Sequence, residues 1–302
     1  MIPQDIAMTL DRLAPALFVL LWSTGWIVAK FAAPHADPLT FLSLRYVLAG
    51  MVFVTIAFAL GSRWPATRRG WGHAVFSGVF LHGLYLGGVW WAIAHGVPSS
   101  VSGLIAALQP LMTALAAPAL IGEKLSNGQK LGILLGFAGL LIAILPRLMA
   151  LDRGEIATAV TPLIVNVIAM ASVTAGTLYQ KRFLQEGDLL SIATLQYCGA
   201  FLVTFPVALL IEDLRIDWSV QFVIAMGWSV FGLSLVSILL LLHLIRRGQV
   251  SRAASLTYLV PPTVALQSWL LFGEQLTLPL IIGTLIVVVG VWLTNRKMHV
   301  SA

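Results

Sequence analysis

The chain has 302 residues, of which 59% are hydrophobic and only 10% are charged, and its mean hydropathy is +0.94. Soluble domains carry about 25% charged residues, so this composition excludes an ordinary soluble domain. A single cysteine, Cys198, excludes an internal disulfide framework and a cysteine metal cluster. The net charge of +6 lies mainly between apolar segments, where it reports membrane orientation and not nucleic-acid binding.

Ten apolar stretches follow one another along the chain, separated by short polar connections. Stretches of about 20 apolar residues are long enough to cross a bilayer as helices. The first lacks a cleavage site of small residues, so we interpret it as a retained helix and not a signal peptide. The predicted fold class is an all-α integral membrane protein with ten transmembrane helices. These are predicted over residues 11–32, 39–61, 72–94, 103–121, 128–147, 157–180, 189–211, 218–244, 253–272 and 278–295.

The basic residues indicate the orientation of these helices. With the N-terminus in the cytoplasm, the inner side holds Arg12, Arg63, Arg68, Arg69, Lys124, Lys130, Lys181, Arg182, Arg246, Arg247, Arg252, Arg296 and Lys297. The outer side holds only Lys30, Arg147, Arg153 and Arg215. The excess of Lys and Arg on one side places both termini in the cytoplasm of a bacterial-type inner membrane.

Matching residues recur at a fixed offset of 151 positions. The pairs are Gly25/Gly176, Lys30/Lys181, Asp37/Asp188, Tyr46/Tyr197, Pro110/Pro261, Gly122/Gly273, Glu123/Glu274, Leu125/Leu276, Gly132/Gly283 and Gly139/Gly290. We therefore predict two five-helix repeats, residues 1–151 and 152–302. Because five is odd, the second repeat has inverted topology, and such repeats hold substrate near the bilayer midplane. Gly-Glu is interpreted as a tight turn between the last two helices of each repeat.

The fifth and tenth predicted helices contain almost no polar side chains. Their glycines recur at three-, four- or seven-residue spacing, which permits close helix approach in lipid. These two helices are predicted to form a peripheral scaffold, in a monomer or a homodimer. A transport pathway must then be lined by the other eight helices.

Arg45 is the strongest candidate for a substrate-binding residue. It lies about 9 Å inside the second predicted helix at 1.5 Å per residue. A charge at that depth normally faces protein or a water-filled cavity, although the side chain is long enough to reach the headgroups. A guanidinium there offers a bidentate site for a substrate carboxylate. Its repeat mate, Gln196, retains hydrogen bonding without charge.

Further polar and aromatic residues fall within the spans. The candidates for lining a substrate site are Trp22, Tyr46, His82, Tyr85, Trp90, Gln109, Tyr197 and Tyr258. Each has a structural alternative, because tyrosine and tryptophan also pack, and histidine and glutamine also bridge helices. Lys30 and Lys181 end matching helices and serve as interface anchors or gates. Pro110 and Pro261 remove backbone donors, as in helices that line cavities.

All twelve acidic residues fall in termini, connections or helix ends. Proton-driven carriers commonly use a carboxylate within the membrane, and here only histidine, chiefly His82, remains to carry a coupled proton. Facilitated diffusion is therefore favoured over proton antiport. The alternative is a proton-coupled exporter of cationic or aromatic drugs.

Three segments carry a resemblance to a known family. They are "LLWSTGWIVAK", "PLMTALAAPALIGEKL" and "PPTVALQSWLLFGEQL". With these, the chain resembles the EamA-type members of the drug/metabolite transporter superfamily over its full length, and is most similar to YddG-type amino-acid exporters. The resemblance implies ten helices and export of small metabolites, such as amino acids, without ATP. No phosphate-binding loop, metal spacing or nucleophile elbow is present. Neither an enzyme acting on lipid-linked substrates nor a sensor subunit is favoured, and no cofactor is expected.

The topology is open to a direct test. In a Cys198→Ser background, single cysteines near Lys181 should react with a membrane-impermeant thiol reagent only from the cytoplasmic side. Cysteines near Glu212 should react only from the outer side, and both termini should be cytoplasmic. An externally labelled C-terminus would contradict the ten-span topology.

Overall fold

A computed structural model describes residues 4–121, 125–149, 152–184, 187–237, 240 and 257–295. Within these ranges the elements are helical, and one isolated antiparallel bridge joins Ala36 to Ile216. The α-helices are α1 (Gln4–Ala32), α2 (Pro38–Ala59), α3 (Arg68–Gly78), α4 (Tyr85–Ala94), α5 (Ser99–Ala106), α6 (Leu108–Ile121), α7 (Asn127–Met149), α8 (Arg153–Phe183), α9 (Leu189–Ile211), α10 (Val220–Gly227), α11 (Val260–Phe272) and α12 (Leu278–Asn295). The predicted turn at residues 122–124, and residues 241–256 of the eighth and ninth predicted spans, lie outside the described ranges.

The all-helical membrane architecture is confirmed. Among the described residues, six helical stretches are long and apolar enough to cross a membrane: Pro38–Ala59, Arg68–Ala94, Ser99–Ala116, Asn127–Met149, Thr158–Phe183 and Leu189–Ile211. Shorter apolar helices cover Ala16–Ala32, Val220–Val236 and Leu278–Thr294. These nine stretches fall within or overlap nine of the predicted spans, and α11 coincides with most of the ninth. The count of ten membrane crossings stays a prediction.

The third and eighth predicted spans each contain a π-helical segment, which the sequence did not indicate. Val79–Leu84 joins α3 to α4, and Trp228–Val236 continues α10. Residues 79–84 correspond at the 151-residue offset to 230–235, so the two irregular segments occupy matching positions. A π-helical turn places one extra residue in the helix and often marks a functional position.

A second matching irregularity interrupts the fourth and ninth predicted spans. Helix α5 ends at Ala106, and the interruption at Ala107 corresponds at the same offset to Tyr258, in a 3₁₀ turn that precedes α11. Pro110 has no N–H to bond the Ala106 carbonyl, so a regular helix cannot continue through this point. Pro261 lies in the first turn of α11, where a missing N–H is tolerated.

The chain forms two compact units. Unit 1 contains residues 1–27, 99–151 and 232–302, and unit 2 contains residues 28–98 and 152–231. Each unit draws segments from both predicted halves of the sequence. The predicted repeat boundary, between residues 151 and 152, therefore differs from the division into compact units and stays a prediction.

In unit 1, α7 packs antiparallel against its repeat mate α12 through glycines. A Cβ atom added to Gly139 would lie 2.7 Å from the Gly283 carbonyl oxygen, and one added to Gly290 would lie 2.6 Å from that of Gly132. Gly139 thus faces the repeat mate of Gly132, and Gly132 faces the repeat mate of Gly139. At such distances the backbones approach more closely than any larger residue permits, as expected for the glycine-rich scaffold.

Glu274 ties the end of α11 to the start of α5 within unit 1. Its carboxylate accepts hydrogen bonds from the backbone N–H and the hydroxyl of Ser99, at 2.9 and 2.8 Å, and from the same two groups of Ser100. A carboxylate at a helix N-terminus satisfies unpaired donors and interacts favourably with the helix dipole. Gly273, with φ at 65°, supplies the tight turn predicted for the Gly-Glu pair.

In unit 2, α2 packs antiparallel against its repeat mate α9. At one end, Asp37 accepts a hydrogen bond from the Arg215 N–H at 2.8 Å and donates its own N–H to the Arg215 carbonyl at 3.1 Å. At the other end, Asp188 makes the same exchange with Arg63, at 2.8 and 3.0 Å. Because Asp37 and Asp188 are repeat mates, the two ends of the pair are fastened in equivalent ways.

The connection that holds Arg215 makes further polar contacts. His35 Nδ1 lies 3.1 Å from an Asp217 carboxylate oxygen and 3.1 Å from the Ser219 hydroxyl. The Asp217 N–H donates to the His35 carbonyl at 2.7 Å. The hydrogen bond from His35, followed by the one from Ser219, lowers the pKa of Asp217. We call residues 33–37 and 212–219 together the α2–α9 latch.

Substitution of Gly290 tests the scaffold. Gly290→Ala should destabilise the folded protein by about 1–3 kcal/mol, because the added methyl overlaps the backbone of α7. The matched control is Gly25→Ala, since a Cβ atom there meets nothing within 4 Å, and alanine should stabilise a helix interior by about 0.5–1 kcal/mol. Unfolding in detergent measures both, and equal stability of the two variants would contradict the close packing.

The latch should loosen in acid. A carboxyl pKa that is lower in the folded state than in the unfolded state stabilises the folded state at pH values above the ordinary Asp pKa of about 3.9. This stabilisation is lost as the pH falls below that pKa and through the lowered one. Protection of the Asp217 amide against hydrogen exchange should therefore fall below about pH 4. In His35→Ala this pH-dependent loss should be smaller, because the hydrogen bond that contributes most to lowering the Asp217 pKa is gone. An identical pH profile in the variant would contradict the role of His35.

Candidate functional site

Two repeat-related tyrosines meet in the middle of the α2–α9 pair. The ring centroids of Tyr46 and Tyr197 are 5.7 Å apart, with 30° between the ring planes. Residues that are each other's repeat mates and also contact one another mark the local axis that relates the two helices. Arg45 and Gln196 precede these tyrosines, so they flank the same axis. We call these four residues and His82 the axial cluster.

Arg45 is buried in the protein, with 5% of its surface exposed. Its guanidinium lies close enough to Tyr46, His82 and Tyr85 to act on all three electrostatically. This burial agrees with a charge that faces the protein interior and not the lipid headgroups. Burying a cation inside a membrane helix is costly, so the surrounding polar and aromatic groups must supply compensating interactions.

The π-helical segment brings His82 to this cluster. The Tyr46 hydroxyl donates a hydrogen bond to the His82 carbonyl at 2.9 Å, and the Ser172 hydroxyl of α8 donates to the Phe80 carbonyl at 3.2 Å. The irregular turn changes the pattern of backbone pairing, and side chains from neighbouring helices supply hydrogen bonds to two of its carbonyls. Tyr46 therefore fixes the segment that carries His82, whose side chain is only partly buried.

Gln196 belongs to a hydrogen-bonded chain of side chains that the sequence did not indicate. Its amide donates to the Ser77 hydroxyl at 3.0 Å and to the Gln180 side-chain oxygen at 3.1 Å. The α3 backbone comes close enough to make these bonds because residue 78 is glycine, where a Cβ atom would overlap the Gln196 backbone. The adjacent Ser77 and Gly78, within an apolar span, were the available signal for this contact.

Tyr197 is enclosed between two other rings. Its ring stacks on Phe53, with centroids 5.4 Å apart and planes at 9°, and on His82 at 4.9 Å and 28°. Only 4% of Tyr197 is exposed. The site thus combines one cation, amide and hydroxyl donors, and flat aromatic faces in one enclosed region of unit 2.

Trp90 and Tyr85 are also buried in unit 2, on α4. Trp90 stacks on Phe41 with ring centroids 4.8 Å apart, and Phe41 meets Phe222 edge-on at 5.5 Å. Trp90 therefore packs between helices in this structure, which is the alternative weighed for tryptophans. Tyr85 follows the π-helical segment directly and lies within electrostatic range of Arg45.

The remaining predicted lining residues belong to unit 1. Trp22 is exposed and lies beside Phe18, whereas Gln109 and Tyr258 are partly buried near the matching helix interruptions. Pro110 and Pro261 lie at or beside those interruptions. A polar contact that the sequence did not indicate joins Ser23 to Gln267, with the hydroxyl donating to the amide oxygen at 3.2 Å.

The two predicted gating lysines occupy the last turns of their helices, Lys30 in α1 and Lys181 in α8. A cation there interacts favourably with the helix dipole. Lys181 is exposed and Lys30 is partly buried, which suits interface anchors, and their gating role stays a prediction. Within the described ranges, the acidic, cysteine and histidine side chains form no group of three that could hold a metal ion.

Comparison with known proteins identifies the family. The model of the EamA-like transporter family matches the chain twice, over residues 13–145 and 161–296. The chain therefore belongs to the EamA-like transporter family, within the drug/metabolite transporter superfamily. It is a multi-pass membrane transporter and not an enzyme.

Relatives cover nearly the whole chain. The uncharacterized transporter YvbV of Bacillus subtilis (strain 168) is 26% identical over 97% of this chain and 94% of its own length. A probable amino-acid metabolite efflux pump of Escherichia coli (strain K12) is 23% identical over 94% of each chain. A solved crystal structure superposes with a TM-score of 0.65 and 20% identity, over 94% of this chain and 97% of the other, which supports the fold.

Proposed function

We propose that the chain exports amino acids or related small carboxylate metabolites from the cytoplasm by alternating access. The observation that carries this proposal is the axial cluster, where a buried arginine and its uncharged repeat mate flank the axis between two antiparallel helices. In transporters built from inverted repeats, substrate is held near the midplane at such an axis.

Ten membrane crossings in two inverted five-helix repeats form the architectural part of the proposal. Helices at equivalent positions of the two halves, α2 with α9 and α7 with α12, pack antiparallel within their units. The contacts between connections also agree with the predicted sides. Asp37 with Arg215, and Ser99 with Glu274, join segments predicted outside, whereas Arg63 with Asp188 joins segments predicted inside.

Arg45 supports a substrate that carries a carboxylate. A guanidinium binds carboxylate in a planar, two-bond geometry, and the amide of Gln196 offers donors and an acceptor to the rest of a zwitterion. The aromatic faces of Tyr46 and Tyr197 add apolar contact area. The same charge disfavours cationic guests, which is why the drug-exporting alternative ranks second. One E. coli relative is named a probable amino-acid metabolite efflux pump, in line with this substrate class.

Facilitated diffusion is the proposed driving mechanism. All acidic residues lie in termini, connections or helix ends, so a proton would need another carrier such as His82. A substrate gradient alone drives net flux through alternating access, and high internal metabolite concentrations then suffice for export. The proposed location is a bacterial-type inner membrane with both termini in the cytoplasm.

Substitutions at Arg45 test the site. Arg45→Ala should reduce transport of carboxylate substrates by about tenfold or more, because one charge-assisted contact contributes about 1.5–3 kcal/mol. Arg45→Lys should rescue only part of the activity, since an ammonium cannot reproduce the planar fork. Uptake of a labelled amino-acid panel into proteoliposomes measures this effect.

The control for lost positive charge is Arg69→Ala, at an exposed position in the first turn of α3. Its transport should match the wild-type rate. All variants are compared at equal amounts of folded, reconstituted protein. Wild-type transport by both Arg45 variants would show that this arginine is structural and would contradict the proposed site.

Counterflow in proteoliposomes tests the driving mechanism. With an imposed pH gradient at fixed membrane potential, net uptake should follow the substrate gradient and stay independent of the pH gradient. Concentrative uptake that needs the pH gradient and disappears in His82→Ala would identify His82 as a proton carrier and replace facilitated diffusion with proton antiport.

A further inference from the structure

An apolar groove lies on unit 1 between the C-terminal part of α7 and the start of α12. Its volume is about 370 Å³, and its walls include Ile142, Leu145, Pro146, Leu278, Pro279 and Ile282. Leu145 is 49% exposed and Leu278 is 68% exposed. The groove therefore opens onto the outer surface of two apolar helices.

The groove follows from the spacing of glycines along this helix pair. The backbones are in close contact at Gly132 with Gly290 and at Gly139 with Gly283. Beyond Gly139, α7 contains no further glycine, and large branched side chains follow on both helices. These side chains form the walls of the groove beyond the close contact of Gly283 with Gly139 and Ala143.

The shape and chemistry of the groove favour an acyl chain over another protein helix. A helix with its side chains is about 10–12 Å across and rises about 5.4 Å per turn, so a single turn would occupy more than the volume of the groove. Close helix association in lipid uses small residues, and the glycines of α7 and α12 already face each other. Aliphatic walls and proline rings suit one hydrocarbon chain, and α7 is apolar enough to lie in the membrane.

A basic residue lies next to a groove-wall residue in the sequence. Arg147 directly follows Pro146, lies in the last turn of α7 and is exposed. Cations at helix ends reach the headgroup level, where they meet lipid phosphate. The next acidic residues in the sequence are Asp152 and Glu155, which form a capping box at the start of α8 and are thus engaged with backbone donors.

We propose that this groove binds a phospholipid, with one acyl chain between α7 and α12 and the headgroup phosphate at Arg147. An anionic headgroup such as phosphatidylglycerol is preferred, because the choline of phosphatidylcholine adds a cation beside the arginine. The site is independent of the transport function and belongs to the scaffold. A bound chain completes the packing that the glycines begin.

Lipid binding to the full-length protein in detergent tests the proposal. Native mass spectrometry counts bound lipids, and the unfolding temperature follows titration with phosphatidylglycerol or phosphatidylcholine. Leu145→Trp fills the groove and should remove one bound lipid and its stabilising effect. The matched control is Leu134→Trp, on the same helix at a position that is 67% exposed and outside the groove walls, which should bind lipid as the wild type does.

Arg147→Gln tests the headgroup contact separately and changes only an exposed position. The wild type should bind phosphatidylglycerol about two- to fivefold more tightly than phosphatidylcholine, the range of a partly exposed charge contact. Arg147→Gln should abolish this preference while keeping one bound lipid. Its control is Lys130→Gln, at the exposed other end of α7, where the preference should persist.

Three outcomes would overturn the proposal. Leu145→Trp binding the same number of lipids as Leu134→Trp would show that the groove is not occupied by a chain. An unchanged headgroup preference in Arg147→Gln would exclude the assigned contact. A change from dimer to monomer in Leu145→Trp, with lipid binding unaffected, would identify the groove as a subunit interface.

Discussion

The close packing of a helix against its own repeat mate is the constraint on which the rest of this structure depends. In unit 1 it requires glycine, because the α7 and α12 backbones touch. In unit 2 the packing of α2 against α9 is supported by equivalent hydrogen bonds at both ends. Asp37 exchanges two hydrogen bonds with Arg215, and Asp188 exchanges two with Arg63. Within a membrane no hydrophobic effect drives helices together, so such contacts must come from close packing and hydrogen bonds.

The polar interior of unit 2 follows from that arrangement. Once α2 and α9 are held antiparallel, Tyr46 and Tyr197 meet, and the residues that precede them are enclosed. The hydroxyl of Tyr46 then reaches the π-helical segment, while Gly78 allows α3 to approach Gln196. The enclosure has an energetic cost, since polar groups in a membrane must find partners inside the protein. Hydrogen bonds between side chains of α3, α8 and α9 meet part of this requirement.

Much of this architecture could be predicted from the sequence, because its signals are long and repeated. Hydropathy identified the helices closely, and the predicted span 189–211 coincides with α9 (Leu189–Ile211). The fixed offset paired Tyr46 with Tyr197, and the rings of these two residues lie 5.7 Å apart in the structure. The π-helical segments, however, depend on hydrogen bonds from other helices, such as that of Ser172, which no local pattern reveals. Gln180 was missed for the same reason. Ser77 carried a local signal, its place beside Gly78 in an apolar span, but its partner is defined only when three helices meet.

The difference between Arg45 and Gln196 has a consequence for the symmetry of the protein. If the two halves were identical, one guanidinium group would lie on each side of the Tyr46–Tyr197 contact. Their mutual repulsion would be strong at positions buried away from bulk water. A neutral amide at one of the two positions removes that repulsion and retains hydrogen bonding. Charge near the axis therefore limits how alike the two halves can remain, whereas glycine, which carries no charge, recurs freely in both.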